Sequence, residues 1–138
     1  MADKIKFMLD TNTASYIVKR SFPEIQKRLL SVPMHRIYIS AITEAELRLA
    51  VVKRPEAKHL PIIVKEFLLR VGILPWNSQA AKVYALLRAI CEKEGKSLGT
   101  MDMLIGAHAK AEDAILVTND RAFDQLAQYL NLEDWTKS

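Results

Sequence analysis

Four acidic side chains could do chemistry together, because each lies at the end of a predicted strand or at the start of a predicted helix. They are Asp10, Glu46, Asp102 and Asp120, called here the acidic quartet. Carboxylates held a few ångströms apart repel one another and raise their own pKa values, and a hard divalent cation relieves that repulsion. Oxygen ligands without histidine or cysteine favour Mg²⁺ or Mn²⁺ over zinc. The pattern therefore predicts a site for one of these two ions.

Each member of the quartet also has an ordinary structural explanation when it is taken alone. Residues 43–46 (TEAE) match a capping box, in which the glutamate bonds back to the start of its own helix. Asp102 and Asp120 lie where helix dipoles favour negative charge, and Asp120 could cap a helix. Asp10 follows a run of buried-type residues and is harder to explain in this way. Four capping acids need not share one edge of a fold, whereas four ligands must, so the joint pattern favours a metal site.

Strand-like apolar runs that alternate with helical patterns must position these acids. The strand candidates are residues 5–9, 37–40, 71–76, 114–117 and 132–135. Continuous apolar strands imply that helices cover both faces of a parallel sheet. We therefore predict an α/β fold, a three-layer α/β/α sandwich around a parallel sheet of four or five strands, formed as a single domain by residues 1–138.

The predicted helices begin at residues that commonly open or cap a helix. Thr43 opens one helix and Pro55 the next, Ser78 caps a long amphipathic helix that ends at Gly95, and residues 119–120 cap a last helix that runs to about residue 129. Three of the four acids then lie at the carboxyl ends of strands, where open parallel sheets bind ligands. Asp102 precedes a strand instead, so only the N-terminus of its helix can reach the same edge.

Composition and charge limit the class of protein. The chain has 138 residues, of which 50% are hydrophobic, and its net charge of +4 comes from 20 basic and 16 acidic side chains. This mild excess is compatible with a polyanionic partner but does not require one. Cys91 is the one cysteine, so it forms no internal disulfide. We see no secretory signal, and charged residues interrupt the longest apolar stretch, so we expect a cytoplasmic protein without a membrane span.

The three histidines lack the paired spacing of a metal site. We expect His35 and His59 on the surface. His108 lies on the same predicted helix as Asp102, where packing is a better explanation than catalysis.

Four segments, in this order and at these separations, resemble the PIN-domain family, and more closely its VapC-type toxins of bacterial toxin–antitoxin pairs. They are residues 7–12 (FMLDTN), 39–47 (ISAITEAEL), 98–109 (LGTMDMLIGAHA) and 116–123 (LVTNDRAF). The resemblance covers nearly the whole chain, through residues 133–135. Family members often have glycine four residues after the motif glutamate, where this chain has Ala50, a difference that concerns helix packing and not the chemistry.

The resemblance implies an endoribonuclease that uses one or two Mg²⁺ ions, with Mn²⁺ also supporting activity, and that cleaves a structured RNA such as tRNA. Asp10 would be the central metal ligand, the other three acids would complete the catalytic and metal-binding set, and Glu44 would face solvent. The residues implied to hold the ligands in place are Thr11, Asn12, Thr118 and Asn119. The resemblance also implies a homodimer and a cognate antitoxin that docks over the site.

Contacts with RNA and with protein partners are less marked in the sequence. Lys96 and Arg121 are the basic residues nearest to the acids along the chain and could contact phosphates, although a solvated surface charge is the better explanation of each. Tyr16, Ile17 and Phe22 could form an interface or belong to the core.

Two other functions fit parts of the pattern. A strand followed by Asp-Thr-Asn also suggests a phosphohydrolase with an aspartyl nucleophile. Those enzymes commonly need a second aspartate two residues after the first, and this chain has Asn12 there. A non-catalytic, doubly wound interaction domain, whose acids only cap helices, is the other alternative.

Overall fold

Short apolar runs form a five-stranded parallel sheet in the computed structural model, which describes residues 4–137. The strands are β1 (Phe7–Leu9), β2 (Ile37–Ser40), β3 (Gly72–Leu74), β4 (Ile115–Val117) and β5 (Asn131–Glu133). The helices are α1 (Thr11–Lys19), α2 (Pro23–Ser31), α3 (Ala41–Val52), α4 (Leu60–Arg70), α5 (Ser78–Glu94) and α6 (Thr100–Ala111). Two 3₁₀ segments, Met34–Arg36 and Arg121–Leu126, complete the described elements.

Strand β1 lies in the middle of the sheet, whose order is β3-β2-β1-β4-β5. Its last residue, Leu9, is in register with Ile39 of β2 and with Val117 of β4. Because all of these strands are parallel, the residues that follow them meet at one edge of the sheet. Asp10 therefore lies between the end of β2 and the end of β4.

The two faces of the sheet bury separate apolar clusters, because successive side chains of a strand point to opposite faces. Phe7 and Leu9 pack with residues of α1, α2 and α4, such as Phe67. Met8 lies in the other cluster, with residues of α5 and α6 such as Leu87. Burial of one such side chain contributes about 1.5–3 kcal/mol to folding. The predicted three-layer α/β/α sandwich is confirmed.

The start of α3 differs from the prediction. The helix begins at Ala41 rather than at Thr43, because the Ser40 hydroxyl accepts a hydrogen bond of 3.1 Å from the backbone N–H of Ile42 and caps the helix. Glu46 consequently lies in the second turn and not in the first. The capping-box explanation of Glu46 is therefore wrong.

Other helix boundaries were also predicted incorrectly. Helix α4 begins at Leu60 rather than at Pro55, and Pro61 occupies its first turn. Asn77 rather than Ser78 caps α5, through a bond of 3.0 Å from the N–H of Ala80 to its side-chain oxygen. Gly95 ends α5 as predicted, with a positive φ of 70° that suits glycine.

The predicted last helix is instead the six-residue 3₁₀ segment Arg121–Leu126, followed by turns. Its buried side chains, Phe123 and Leu126, are three residues apart. That spacing matches the three residues per turn of a 3₁₀ helix, and backbone bonds such as Phe123 N–H to Asp120 O close over three residues.

Among residues 4–137, none of the helices combines the length and the apolar character that crossing a bilayer requires.

Candidate active site

Asp10 lies at the carboxyl end of β1 and is buried, with 2% of its surface exposed. It caps α1: its Oδ1 accepts the backbone N–H of Thr13 at 2.8 Å. Its Oδ2 accepts the hydroxyl of Thr118 at 2.6 Å. Burial raises the pKa of Asp10, and the bonds from Thr118 and Thr13 partly offset that rise. Each carboxylate oxygen has a second lone pair, so Asp10 keeps the capacity to bind a cation.

Thr118 connects Asp10 with Asp120. Its Oγ1 donates to Asp10 and accepts the backbone N–H of Asp120 at 3.0 Å. One carboxylate oxygen of Asp120, Oδ1, accepts the N–H of Ala122 at 2.9 Å. Asp120 therefore caps the 3₁₀ segment, in agreement with its ordinary structural explanation. It is also linked to Asp10, because its backbone N–H and the Asp10 carboxylate bond to the same Thr118 hydroxyl.

Glu46 reaches the same edge from α3. The hydroxyl of Thr11 donates to Glu46 Oε1 at 2.6 Å, and its oxygen also lies 3.2 Å from the hydroxyl oxygen of Thr43. Thr11 directly follows Asp10, so this bond holds Glu46 beside the end of β1. Glu44, by contrast, forms an ion pair with Arg48 at 2.8 Å.

Asp102 lies in the first turn of α6, after Gly99, which offers no side-chain cap. Burial raises the pKa of Asp102 to about 6, and the charges of Asp120, Asp10 and Glu46, in that order, add to the rise. The carboxyl group of Asp102 thus interacts electrostatically with every other member of the quartet. The structure brings together all four of the predicted acids.

The side chains of the quartet do not form a ready-made ligand shell. Among residues 4–137, no three histidine, cysteine, aspartate or glutamate side chains are placed so that together they could hold a metal ion. The other three carboxylates are therefore close enough to raise the pKa of Asp102, but no three of the four are close enough to share an ion as they stand. Mg²⁺ commonly binds through one or two carboxylates and keeps several waters, so the residue types present fit such an ion.

The other predicted site residues are placed unevenly. Thr11 and Thr118 each bond to a member of the quartet, whereas within residues 4–137 the side chains of Asn12 and Asn119 form no such bond. Lys96 forms an ion pair with Glu94 at 2.8 Å. The side chain of Arg121 is 91% exposed beside Asp120.

Two buried contacts at this edge were not found from the sequence. Thr13 donates its hydroxyl to Val117 O at 3.1 Å and ties α1 to β4; its position three residues after a capping aspartate was the available signal. His108 is fully buried, and its Nδ1 lies 2.8 Å from the hydroxyl oxygen of Ser40. The prediction that His108 is packed is confirmed, as is the exposure of His35 and His59.

The apolar residues of the early helices belong to the core rather than to an exposed face. Tyr16, Ile17 and Phe22 are half-buried against the cluster that contains Phe7 and Leu9. The rings of Tyr16 and Phe22 meet edge to face, with centroids 4.8 Å apart.

Comparison with known proteins agrees with this architecture. The PIN domain family model matches residues 7–129. The chain is 34% identical to ribonuclease VapC2 of Haemophilus influenzae over 132 residues, which cover 95% of this chain and 98% of that protein. It is 32% identical to the tRNA(fMet)-specific endonuclease VapC of Salmonella typhimurium, with the same coverage.

A solved structure gives the same result. One chain in the crystal structure of VapBC2 from Rickettsia felis, bound to a DNA fragment from their promoter, superimposes with a TM-score of 0.88 at 32% identity. The match covers 95% of this chain and 99% of that one. The sequence, the fold and the convergent acids lead to one conclusion: the chain belongs to the PIN-domain family, among its VapC-type members.

Proposed function

We propose that this protein is a Mg²⁺- or Mn²⁺-dependent endoribonuclease whose active site is the acidic quartet. The observation that carries the proposal is the convergence of four carboxylates, from β1, α3, α6 and the end of β4, at one edge of the sheet. Such crowding of like charges raises the free energy of the metal-free protein, and a divalent cation would lower it. The names of the relatives, ribonuclease and endonuclease, support the same activity.

The residues of the chain divide the work. Asp10, held by Thr13 and Thr118, would be the central ligand of one or two ions. Asp120 would be a further ligand. When bound, the ion supplies positive charge that neutralises the scissile phosphate and activates water for in-line attack. Glu46 and Asp102 are the two candidates to orient that water. Thr11 fixes Glu46, because its hydroxyl donates to Oε1.

RNA must also be held near the acids. Arg121 follows Asp120 directly and extends into solvent, 4.0 Å from Asp124 at its nearest. It can therefore reach a phosphate at little cost in lost contacts. Lys96 is already paired with Glu94, and its contact with RNA stays a prediction. A structured RNA such as tRNA is supported as substrate by the name of the Salmonella typhimurium relative.

We further infer a protein partner of the antitoxin class, together with a homodimer. A structural neighbour is part of a VapBC complex, which supports the antitoxin partner. Exposed apolar side chains on α3 and α4 support both: Leu49 is 54% exposed, Val52 74% and Leu69 76%. Exposed apolar patches mark protein interaction sites. Cytoplasmic localisation stays a prediction.

The proposal is tested by incubation of the purified protein with total RNA and Mg²⁺, beside the Asp10→Asn variant, followed by mapping of the fragment ends. We expect discrete new ends with the wild-type protein and none with the variant or in the presence of EDTA. Cleavage by Asp10→Asn at the wild-type rate would refute the assignment. A non-catalytic interaction domain would neither cut RNA nor gain thermal stability from Mn²⁺.

A further inference from the structure

A buried histidine links the two helices that carry Asp102 and Glu46. His108 lies on α6, six residues after Asp102, and Ser40 lies at the cap of α3, six residues before Glu46. The Nδ1 of His108 and the Oγ of Ser40 share a hydrogen bond of 2.8 Å, and both side chains are fully buried. Hydrogen bonds are electrostatically stronger in such surroundings than in water.

Asp102 depends on its helix for its position. Within residues 4–137, the carboxylates of Asp10, Glu46 and Asp120 each accept at least one hydrogen bond, and that of Asp102 accepts none. Its place relative to the other acids is therefore set by how α6 packs. Of the side-chain hydrogen bonds in the same part of the chain, the His108–Ser40 bond is the one that joins α6 directly to the start of α3.

The other ring nitrogen of His108, Nε2, forms no side-chain hydrogen bond within residues 4–137. The Nε2 of His108 lies 4.0 Å from Glu112 Oε2, beyond hydrogen-bond distance, and Glu112 Oε1 accepts from Lys6 Nζ at 3.0 Å. Burial lowers the pKa of His108, which favours the neutral ring. The same Ser40 hydroxyl oxygen accepts the N–H of Ile42 and caps α3. The bond to His108 consequently fixes the cap and the first turn of α3 against α6.

We propose that His108 is a positioning residue: through Ser40 it fixes α6 against the start of α3 and thereby sets the separation of the Asp102 and Glu46 carboxylates. This inference rests on the proposed function, because the separation matters only if these carboxylates act together on an ion or a water. His108 itself does not touch the reacting atoms.

Two polar substitutions test the proposal as a matched pair. In His108→Asn the amide takes the place of Nδ1 and can still bond to Ser40, whereas in His108→Gln the amide extends to the place of Nε2 and cannot. Mn²⁺ binding to the RNA-free protein is measured by calorimetry, and cleavage is resolved into kcat and KM. Ser40→Ala, which removes the hydroxyl and leaves the histidine, is the second route should His108→Gln fail to unfold cooperatively.

We expect the Kd for Mn²⁺ to rise about threefold in His108→Gln, less than the ~10–100-fold caused by loss of a direct partner of a ligand. The kcat of His108→Gln should fall while its KM is unchanged. His108→Asn should match the wild type in Mn²⁺ affinity and in kcat. Ala109→Gly, which weakens the same helix without touching Ser40, controls for a merely structural effect and should lower Tm alone.

The positioning role would be overturned if folded His108→Gln, or Ser40→Ala, had the same Mn²⁺ affinity and kcat as the wild type. That result would leave the proposed function intact. Absence of Mn²⁺ binding and RNA cleavage in the wild-type protein would overturn both.

Discussion

Asp10 and Thr118 lie 108 positions apart in the chain and share a hydrogen bond of 2.6 Å at the centre of the acidic quartet. The same threonine oxygen accepts the backbone N–H of Asp120 at 3.0 Å. A single hydroxyl thus orients one buried carboxylate and the backbone that carries a second. Hydrogen bonds of this kind fix the direction in which a carboxylate presents its remaining lone pairs.

Thr118→Val should lower both the affinity for Mn²⁺ and the rate of RNA cleavage by about 10–100-fold, because Asp10 loses the donor that orients Oδ2. Calorimetry with Mn²⁺ and single-turnover cleavage measure the two effects. Thr118→Ser keeps the hydroxyl and is the control, which should remain close to the wild type. A valine variant with unchanged Mn²⁺ affinity would show that Thr118 has no part in ordering the site.

Glu46→Gln should reduce cleavage by about 100-fold or more, since the variant loses a carboxylate that would bind the ion or orient the water. Glu44→Gln, on the same helix two residues earlier, is the matched control. It breaks only a surface ion pair with Arg48 and should change the free energy of unfolding by less than about 1 kcal/mol. Equal cleavage by the two variants would remove Glu46 from the active site.

The stability of the metal-free protein should depend on pH through Asp102. The pKa of Asp102 is about 6 in the folded protein and 3.8 in the unfolded chain, so the folded state binds more protons between these values. Its free energy of unfolding should therefore fall as the pH rises from about 4 to 7. Asp102→Asn should remove this dependence and should stabilise the protein at pH 7. The gain should be only about 1 kcal/mol, because solvent screens the charge of this partly exposed side chain.

Chemical denaturation in EDTA across that pH range measures the effect. Addition of Mn²⁺ should make the wild type more stable than Asp102→Asn at pH 7. The wild type gains stability from the ion by mass action, and the variant gains less. A metal-free Asp102→Asn variant less stable than the wild type at pH 7 would contradict the repulsion that underlies the quartet.

Arg121→Gln should raise the KM for RNA with little change in kcat, because its exposed guanidinium is placed to contact a phosphate rather than the reacting atoms. The slope of log affinity against log salt should become shallower by about one. Arg54→Gln is a control at an exposed arginine, paired with Glu56 on the loop between α3 and α4. Indistinguishable salt slopes for the two variants would assign Arg121 to the solvated surface.

The sequence pattern was sufficient for the sheet and for the three acids near strand ends, and the family resemblance supplied the fourth. Buried strands such as β1 read as apolar runs, and Asp10 directly follows one of them, although the structure shows that it also caps α1. Asp10 was identified from its position after this run. The order of the motifs in the PIN-domain family then placed Asp102, whose helix precedes a strand and whose position no rule about strand ends could give.

Helix boundaries and polar partners were harder to predict, because they depend on contacts between distant parts of the chain. Thr43 matches a cap signal, yet its hydroxyl forms a hydrogen bond with that of Thr11. The residue that caps the helix is Ser40. The pairing of Ser40 with His108 joins residues 68 positions apart, and nothing local indicates it. The apolar spacing of three after Asp120 also occurs in α-helices, so the sequence predicts a longer helix there than the 3₁₀ segment that forms.

The central place of β1 has a consequence for the order in which activity is acquired. Polypeptides leave the ribosome from their N-terminus, and β4, with Thr118 and Asp120 behind it, docks beside β1 from the far end of the chain. A nascent or prematurely terminated product that stops before β4 would carry Asp10, Glu46 and Asp102 without the strand that completes their surroundings. Such a product would lack both Asp120 and the Thr118 hydroxyl that orients Asp10, so we expect an ordered acidic quartet only after β4 has joined the sheet.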